Sequence, residues 1–217
     1  MQYLSFQKNY IKLPMTKMKQ MSYPGDNTAE LTDLLKSCKR CSLHETRTLP
    51  VLPEGNTSSK IFMIAQSPGK TENQTGKMFT GPSGRIFDEL LQEAGVSRND
   101  FYLTNLIKCM LVKSRDPSRG QWDACTPWLK REIELIKPKV LVPLGFQATK
   151  FVLTYLGIPR PPGKSYRVLF GNFIKTERYL ILPLRHPTAL LFDPGKKEMI
   201  INNYKKLKEL TDKYKTI

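Results

Sequence analysis

Residues 60–69, KIFMIAQSPG, decide the fold. The run from Ile61 to Ala65 is apolar and β-prone without polar alternation, and Gln66-Ser67-Pro68-Gly69 stops it at once. A strand that is apolar on both sides must be covered on both faces, as in a parallel sheet; a strand with one wet face would alternate. The polar, Pro- and Gly-containing stop then marks a loop leaving the strand's C-terminal end.

The same logic extends in both directions. Residues 82–94 read as a helix, because Ile86, Phe87, Leu90, Leu91 and Ala94 share a face and Gly95 supplies the stop. Residues 101–107 form the next strand. A helix through Trp128, Leu129, Ile133 and Ile136 leads to a strand at 140–144, and Gly145 opens a helix through Val152. After the turn-rich stretch 160–163, residues 166–170 read as a hairpin arm and 179–184 as the last core strand; a Lys-rich amphipathic helix over 196–214 closes the chain. Upstream, Asn27-Thr28 is a good N-cap pair for a short helix carrying Leu31, Leu34 and Leu35 towards Cys38. Strands alternating with helices predict an α/β fold, a three-layer α/β/α sandwich around a mostly parallel four-stranded sheet, in one domain over 27–217. Ligands of such sheets bind at the C-terminal strand ends. The loops 66–82, 104–120 and 185–194 are therefore where chemistry is expected.

Of 217 residues, 35 are Lys or Arg and 19 Asp or Glu, a formal net charge of +16. With 40% hydrophobic and 25% charged residues the chain is globular in composition, and no apolar run approaches the roughly 20 residues of a membrane helix. The positive field fits nucleic acid, an acidic membrane surface or an acidic protein, against the plainer alternative of a Lys-rich solubilising surface; nucleic acid is the favoured partner. Residues 1–26 hold several Lys and no acidic residue before Asp26, and read as a flexible basic leader in which Met15, Met18 and Met21 also leave room for a later start. The leader lacks a continuous apolar segment and a small-residue cleavage site, so a reducing, cytoplasmic location is expected.

Cys38 and Cys41 form a C-x2-C pair, while Cys109 and Cys125 lie far downstream with 15 residues between them. Spacing alone leaves three readings: an iron-sulfur cluster, which tolerates scattered ligands; zinc, for which only the first pair has the usual knuckle spacing; and unligated buried thiols.

In order, the distinctive blocks are Cys38-Lys-Arg-Cys41-Ser-Leu43 with Arg47 following, AQSPGKTENQTGKMFTGPSG at 65–84, LTNLIKC at 103–109, Cys125-x-Pro127-x-Leu129, IKPKVLVPLG at 136–145 and RHPTALL at 185–191. Together they resemble the family 4, iron-sulfur uracil-DNA glycosylases over residues 31–211. The resemblance implies an enzyme that flips uracil out of DNA and hydrolyses its N-glycosidic bond, leaving an abasic site for base-excision repair. It implies a [4Fe-4S] cluster on Cys38, Cys41, Cys109 and Cys125, with zinc the lesser alternative and a structural role near the DNA-binding face. It places Phe79 as the ring on which the flipped base stacks, Asn105 as the reader of the uracil edge, and His186 as the donor to the departing base. Gln66, Ser67 and Gly69 come to the base through the first motif's backbone, and Glu72 lines the pocket near C5.

Leu190 and Leu191 are expected to fill the gap left in the stack, and Lys108, Lys113, Arg115, Arg119, Arg185 and the lysines of the leader to contact phosphates. His44, beside the cysteines, reads as structural. The chain departs from the family at Ala65-Gln66, where Gly-Glu is common, at Met110-Leu111, where Arg-Pro is common, and at Phe192, where Arg is common. Ser67 stands where a sister family keeps a water-activating Asp, so no strong general base is visible in that loop. The expected partner is uracil-containing DNA, with no membrane and a monomeric chain. Three rivals follow: a noncatalytic DNA-binding module on the same fold, a relative that links covalently to the abasic sugar, whose Arg-rich insert is missing before Arg185-His186, and a cluster-based redox sensor.

Overall fold

The computed structural model describes residues 27–112 and 116–214; the leader at 1–26, with Lys113 and Arg115, lies outside the described residues. Helix α1, Thr28–Lys36, starts at Asn27, whose side chain accepts the Glu30 N–H at 3.0 Å, and buries Leu31 and Leu35. The short α2, Leu43–Thr46, follows the C-x2-C pair. Strand β1 is Glu54–Gly55 and β2 is Ile61–Ala65, with all five residues of β2 buried. Next come α3, Lys70–Thr75, α4, Pro82–Glu93, and β3, Tyr102–Asn105. Helix α5, Arg119–Ile136, opens on a capping box between Ser118 and Gln121. Strand β4, Val140–Pro143, leads into α6, Phe146–Tyr155. Strands β5, Ile174–Lys175, and β6, Leu180–Ile181, precede α7, Ala189–Phe192, and α8, Lys197–Tyr214.

The strand order is β1-β3-β2-β4-β6-β5. The four inner strands are parallel, which is the expected sheet; β1 and β5 extend it at the two edges as short antiparallel pairings. The uninterrupted apolar run of β2 is explained by what covers it. Ile61, Met63 and Ala65 belong to a core shared with Phe87 and Leu90 of α4 and with Tyr204 and Leu207 of α8. Phe62 and Ile64 point the other way, to a core with Leu31 and Leu35 of α1, Leu129 and Ile133 of α5 and Val152 of α6. At about 1.5–3 kcal/mol per large buried side chain, these two cores are the main source of stability.

Three expectations are corrected. Residues 166–170 are not a hairpin arm: Gly163–Leu169 winds as a 3-10 helix, which turns Tyr166 inward onto Phe146 with ring centroids 4.7 Å apart. The antiparallel partner of β6 is instead β5. The last strand's regular pairing is shorter than 179–184: Leu182 and Leu184 still donate to the Leu141 and Pro143 carbonyls, both at 3.0 Å, but Pro143 of β4 has no N–H to give back to β6, and Leu144 and Leu184 pair only as an isolated bridge. Finally, the loop over 66–82 contains α3.

Candidate active site

The parallel register aligns the strand exits. Ala65 pairs with Asn105, and Leu144 bridges Leu184, so the segments following these residues meet at one edge of the sheet. They enclose a pocket lined by Ala65, Ser67, Pro68, Gly69, Glu72, Met78, Phe79, Ser83, Asn105 and His186, with about 260 Å³ of space including its mouth. That is below the usual range for drug-sized ligands and of the order one flat ring requires. The pocket's walls are stapled to each other. Leu106 donates to the Ala65 carbonyl at 2.9 Å and Ile107 to the Gln66 carbonyl at 3.0 Å, fixing the first loop against the exit of β3.

Asn105, the last residue of β3, is buried, and its Nδ2 donates to Met78 Sδ at 3.0 Å. One of the two amide N–H groups is thereby oriented, leaving the other donor and the carbonyl oxygen for a ligand edge. Phe79 forms the wall beside it in the left-handed region, with φ 50°, stacked on Phe87 at 4.3 Å and tilted towards His186 at 5.8 Å. Such a conformation is unusual for a bulky residue. Gly84 accommodates it: a Cβ there would stand 1.8 Å from the Phe79 carbonyl oxygen.

His186 sits just beyond the Leu184 bridge. Thr188 N–H donates to His186 Nδ1 at 3.3 Å, and Thr188 Oγ1 lies 2.9 Å from the same nitrogen. Because a backbone N–H can only donate, Nδ1 must accept, and the proton of the neutral ring is on Nε2. Part of the residue's surface stays accessible, yet the ring is desolvated enough that burial lowers its pKa to about 4, with Glu72 pulling weakly the other way. Gly145, at φ 86°, lets this turn pack closely, since a Cβ there would meet His186 Cβ at 3.1 Å. The buried Glu72 accepts the Gly81 N–H at 2.7 Å through Oε1, while its Oε2 occupies the space where Gly69 would carry a Cβ. Its carboxylate ties two walls together.

Several expected contacts fall elsewhere. Gln66 does not line the pocket; its carbonyl is tied to Ile107. Lys108 does not reach a phosphate. Its side chain is 2% exposed, 2.7 Å from Glu132 Oε1, and donates also to Thr104 Oγ1 and, at 2.8 Å, to the Asn105 carbonyl. A buried lysine needs such a partner, and Glu132 of α5 provides it. Leu190 turns inward against the core, leaving Leu191 half exposed and Phe192 81% exposed at the tip of α7. Arg185 is half-buried outside the pocket, its guanidinium 5.1 Å from the Phe170 ring centroid and its carbonyl accepting from Tyr204 OH. Arg119 is exposed on α5, 3.6 Å from Asp123. The sequence reading missed Met78, Ser83 and Thr188, although Met78 and Thr188 adjoin recognised residues in the quoted blocks.

The four cysteines converge from distant sequence. Cys38, Cys41, Cys109 and Cys125 line one cavity together with Leu35, Arg47, Lys108 and Trp128. Arg47 donates to Cys109 Sγ at 3.1 Å and to the Cys38 carbonyl at 2.7 Å, and the Lys108 backbone N–H donates to Cys125 Sγ at 3.4 Å. Burial pushes the Cys125 thiol up to about 12 and raises Cys109 as well, against the pull of Lys108 and Arg47. His44 adjoins this cavity with Nδ1 2.8 Å from the Cys41 carbonyl. Among the described residues no three His, Cys, Asp or Glu side chains form a group able to hold a metal ion as placed.

Comparison with known proteins agrees with this architecture. Residues 52–213 match the family model of the uracil DNA glycosylase superfamily. The type-4 uracil-DNA glycosylase of Sulfurisphaera tokodaii is 32% identical over 191 residues, covering 85% of each chain. That of Archaeoglobus fulgidus is 34% identical over 185 residues, covering 82% of this chain and 90% of its own. A bacterial relative, the type-4 uracil-DNA glycosylase of Thermotoga maritima, is 34% identical over 163 residues, 74% of this chain and 81% of its own. With the parallel sheet, the strand-end pocket and the four gathered cysteines, these likenesses establish that the chain belongs to the type-4 uracil-DNA glycosylases of the uracil DNA glycosylase superfamily.

Proposed function

We propose that the protein removes uracil from DNA by hydrolysing the N1–C1′ bond, leaving an abasic site. The observation that carries this reading is the convergence of Asn105, Phe79 and His186 on one small pocket at the strand exits. The flipped pyrimidine stacks on Phe79 and presents O4 and N3–H to the Asn105 amide. As the bond lengthens, the sugar becomes oxocarbenium-like and negative charge gathers on uracil O2. The His186 Nε2–H, set by Thr188, donates there and stabilises the departing anion more than the bound base. Among the described residues Glu72 is the one carboxylate lining the pocket, and its Oε1 accepts the Gly81 N–H, which supports a mechanism in which the leaving group is stabilised first and water is captured late.

The test is release of free uracil from a single-uracil oligonucleotide, with matched thymine and cytosine strands. Uracil release with an alkali-labile abasic strand is the expected result; tight binding without release would make the protein a noncatalytic DNA-binding module.

The cysteine cavity fits a [4Fe-4S] cluster. All four cysteines line one cavity, and N–H donors are aimed at two of the sulfurs, as bound thiolates would require. A bound metal's positive charge would favour the thiolate form of these cysteines. In this role the cluster fastens α1 and the C-x2-C segment to the exit of β3. Free thiols are suited to a reducing compartment, and among the described residues no helix is long and apolar enough to cross a membrane.

DNA contact is assigned to the tip of α7. Leu191 and Phe192, not Leu190, fill the gap left by the flipped base. Replacing both by Ala is expected to lower excision from duplex DNA roughly tenfold, about 1.4 kcal/mol, with little change on single strands; equal losses on both substrates would remove them from the gap.

Lys108→Met is expected to destabilise the fold by about 3–5 kcal/mol, because Glu132 is left as an uncompensated buried charge. Denaturant unfolding measures this. The companion Lys108→Met, Glu132→Leu protein should recover most of the loss and keep the wild-type salt dependence of DNA binding. A salt slope smaller by about one would restore Lys108 to the phosphate contacts.

A further inference from the structure

Met78 and Phe79 supply two pocket walls, yet what fixes their backbone lies outside the pocket. Arg98 Nη1 donates to the Met78 carbonyl at 2.9 Å and Nη2 to the Phe79 carbonyl at 2.8 Å. Asp88 of α4 holds the same guanidinium, accepting from Nε at 2.7 Å and Nη2 at 3.0 Å. Glu54 Oε1 accepts the Met78 N–H at 2.7 Å, and its Oε2 lies 3.9 Å from Arg98 Nη1. Arg98 also lies over the Phe87 ring, 5.7 Å from its centroid, and Phe87 is the ring against which Phe79 stacks.

This arrangement answers a specific need. Phe79 sits at φ 50°, a conformation that persists only where its surroundings hold it. A planar guanidinium with donors in a fixed fork can grip two successive carbonyls and a carboxylate at once; an ammonium cannot reproduce that geometry. Releasing the carbonyls would let the turn relax, moving both the Phe79 ring and the Met78 sulfur that orients the Asn105 amide.

We infer that Arg98 is a positioning residue for base recognition, holding the Met78-Phe79 turn so that the ring and the Asn105 amide meet the flipped base together. The inference rests on Phe79 being the stacking surface for uracil. A purely structural Arg98 would tie the 98–100 turn to α4 through Asp88 and leave base binding unchanged in folded protein.

The experiment measures kcat, KM for a uracil oligonucleotide and the inhibition constant of free uracil for Arg98→Met, Arg98→Lys, Asp88→Asn and Phe79→Ala, well below each melting temperature. Arg98→Met is expected to lower kcat about 10–100-fold, the scale of an ångström-level misplacement, and to weaken free-uracil inhibition roughly tenfold, with KM for DNA little changed. Arg98→Lys, which keeps the charge and the Asp88 pair but loses the fork, should share the defect and remains informative if Arg98→Met fails to fold. Asp88→Asn, which retains both carbonyl bonds, should stay close to wild type. Wild-type uracil inhibition and kcat in folded Arg98→Lys would overturn the inference. Undiminished uracil inhibition in Phe79→Ala would instead overturn the stacking surface itself, and the inference with it.

Discussion

His186→Ala is expected to lower the rate of uracil release about 10²–10³-fold while changing affinity for uracil-containing DNA by less than about threefold, the pattern of a donor lost from the transition state alone. Thr188 N–H donates to Nδ1 and leaves Nε2 as the protonated nitrogen. A neutral donor has an advantage here: it stabilises charge that develops late without attracting phosphate in the ground state. Burial lowers the pKa of the ring to about 4. Protonating Nδ1 would oppose the Thr188 N–H, so the acid limb contributed by His186 should fall near pH 4, not at the ordinary histidine value near 6.5. Above about pH 6.5 the ring is neutral in both states. Between about 6.5 and 4 the unfolded chain takes up a proton that the folded one refuses, so stability falls as pH falls. His186→Ala should remove that share of the slope. Single-turnover excision and pH-dependent unfolding measure the two effects; an equal loss of rate and DNA affinity would place His186 in binding instead of catalysis.

What could be read from sequence was whatever short-range pattern controls. The unbroken apolar run of β2 required cover on both faces, and the structure supplies α4 and α8 on one side and α1, α5 and α6 on the other. Strand-end loops then had to meet, and Asn105, Phe79 and His186 do so. What failed depends on contacts across the chain. Lys108 in a strongly basic protein looks like a phosphate ligand; only the approach of Glu132 from α5 makes burial affordable. Leu190 and Leu191 are equivalent as neighbours in sequence, but successive residues of α7 point about 100° apart, so one packs inward and the other faces out. Two-residue edge strands carry too little pattern to detect. Arg98 carried no local signal either, since its meaning lies in carbonyls that stand 19 and 20 residues earlier.

Asn105→Asp should have the largest effect on selectivity. The wild-type amide offers an acceptor to N3–H and a donor to O4; cytosine presents the reverse, an acceptor at N3 and a donor at N4. A buried site that reads such a pattern typically rejects the wrong one by about 10⁴-fold, because its own polar groups would be left unpaired. The substituted carboxyl sits where Asn105 is 3% exposed, and desolvation there favours its neutral form. A neutral carboxylic acid carries one O–H donor and one carbonyl acceptor that can exchange places, so it matches either base. Met78 Sδ, which takes an N–H from the wild-type amide, no longer fixes the orientation. Excision of uracil is therefore expected to fall about 10²-fold, excision of cytosine to become measurable, and the discrimination ratio to collapse most at low pH, where the acid is fully protonated. Release of both bases from matched oligonucleotides between pH 5.5 and 8 is the measurement. If the ratio stays at its wild-type value at every pH, Asn105 does not read the base edge, and selectivity resides in the walls formed by Phe79 and Glu72.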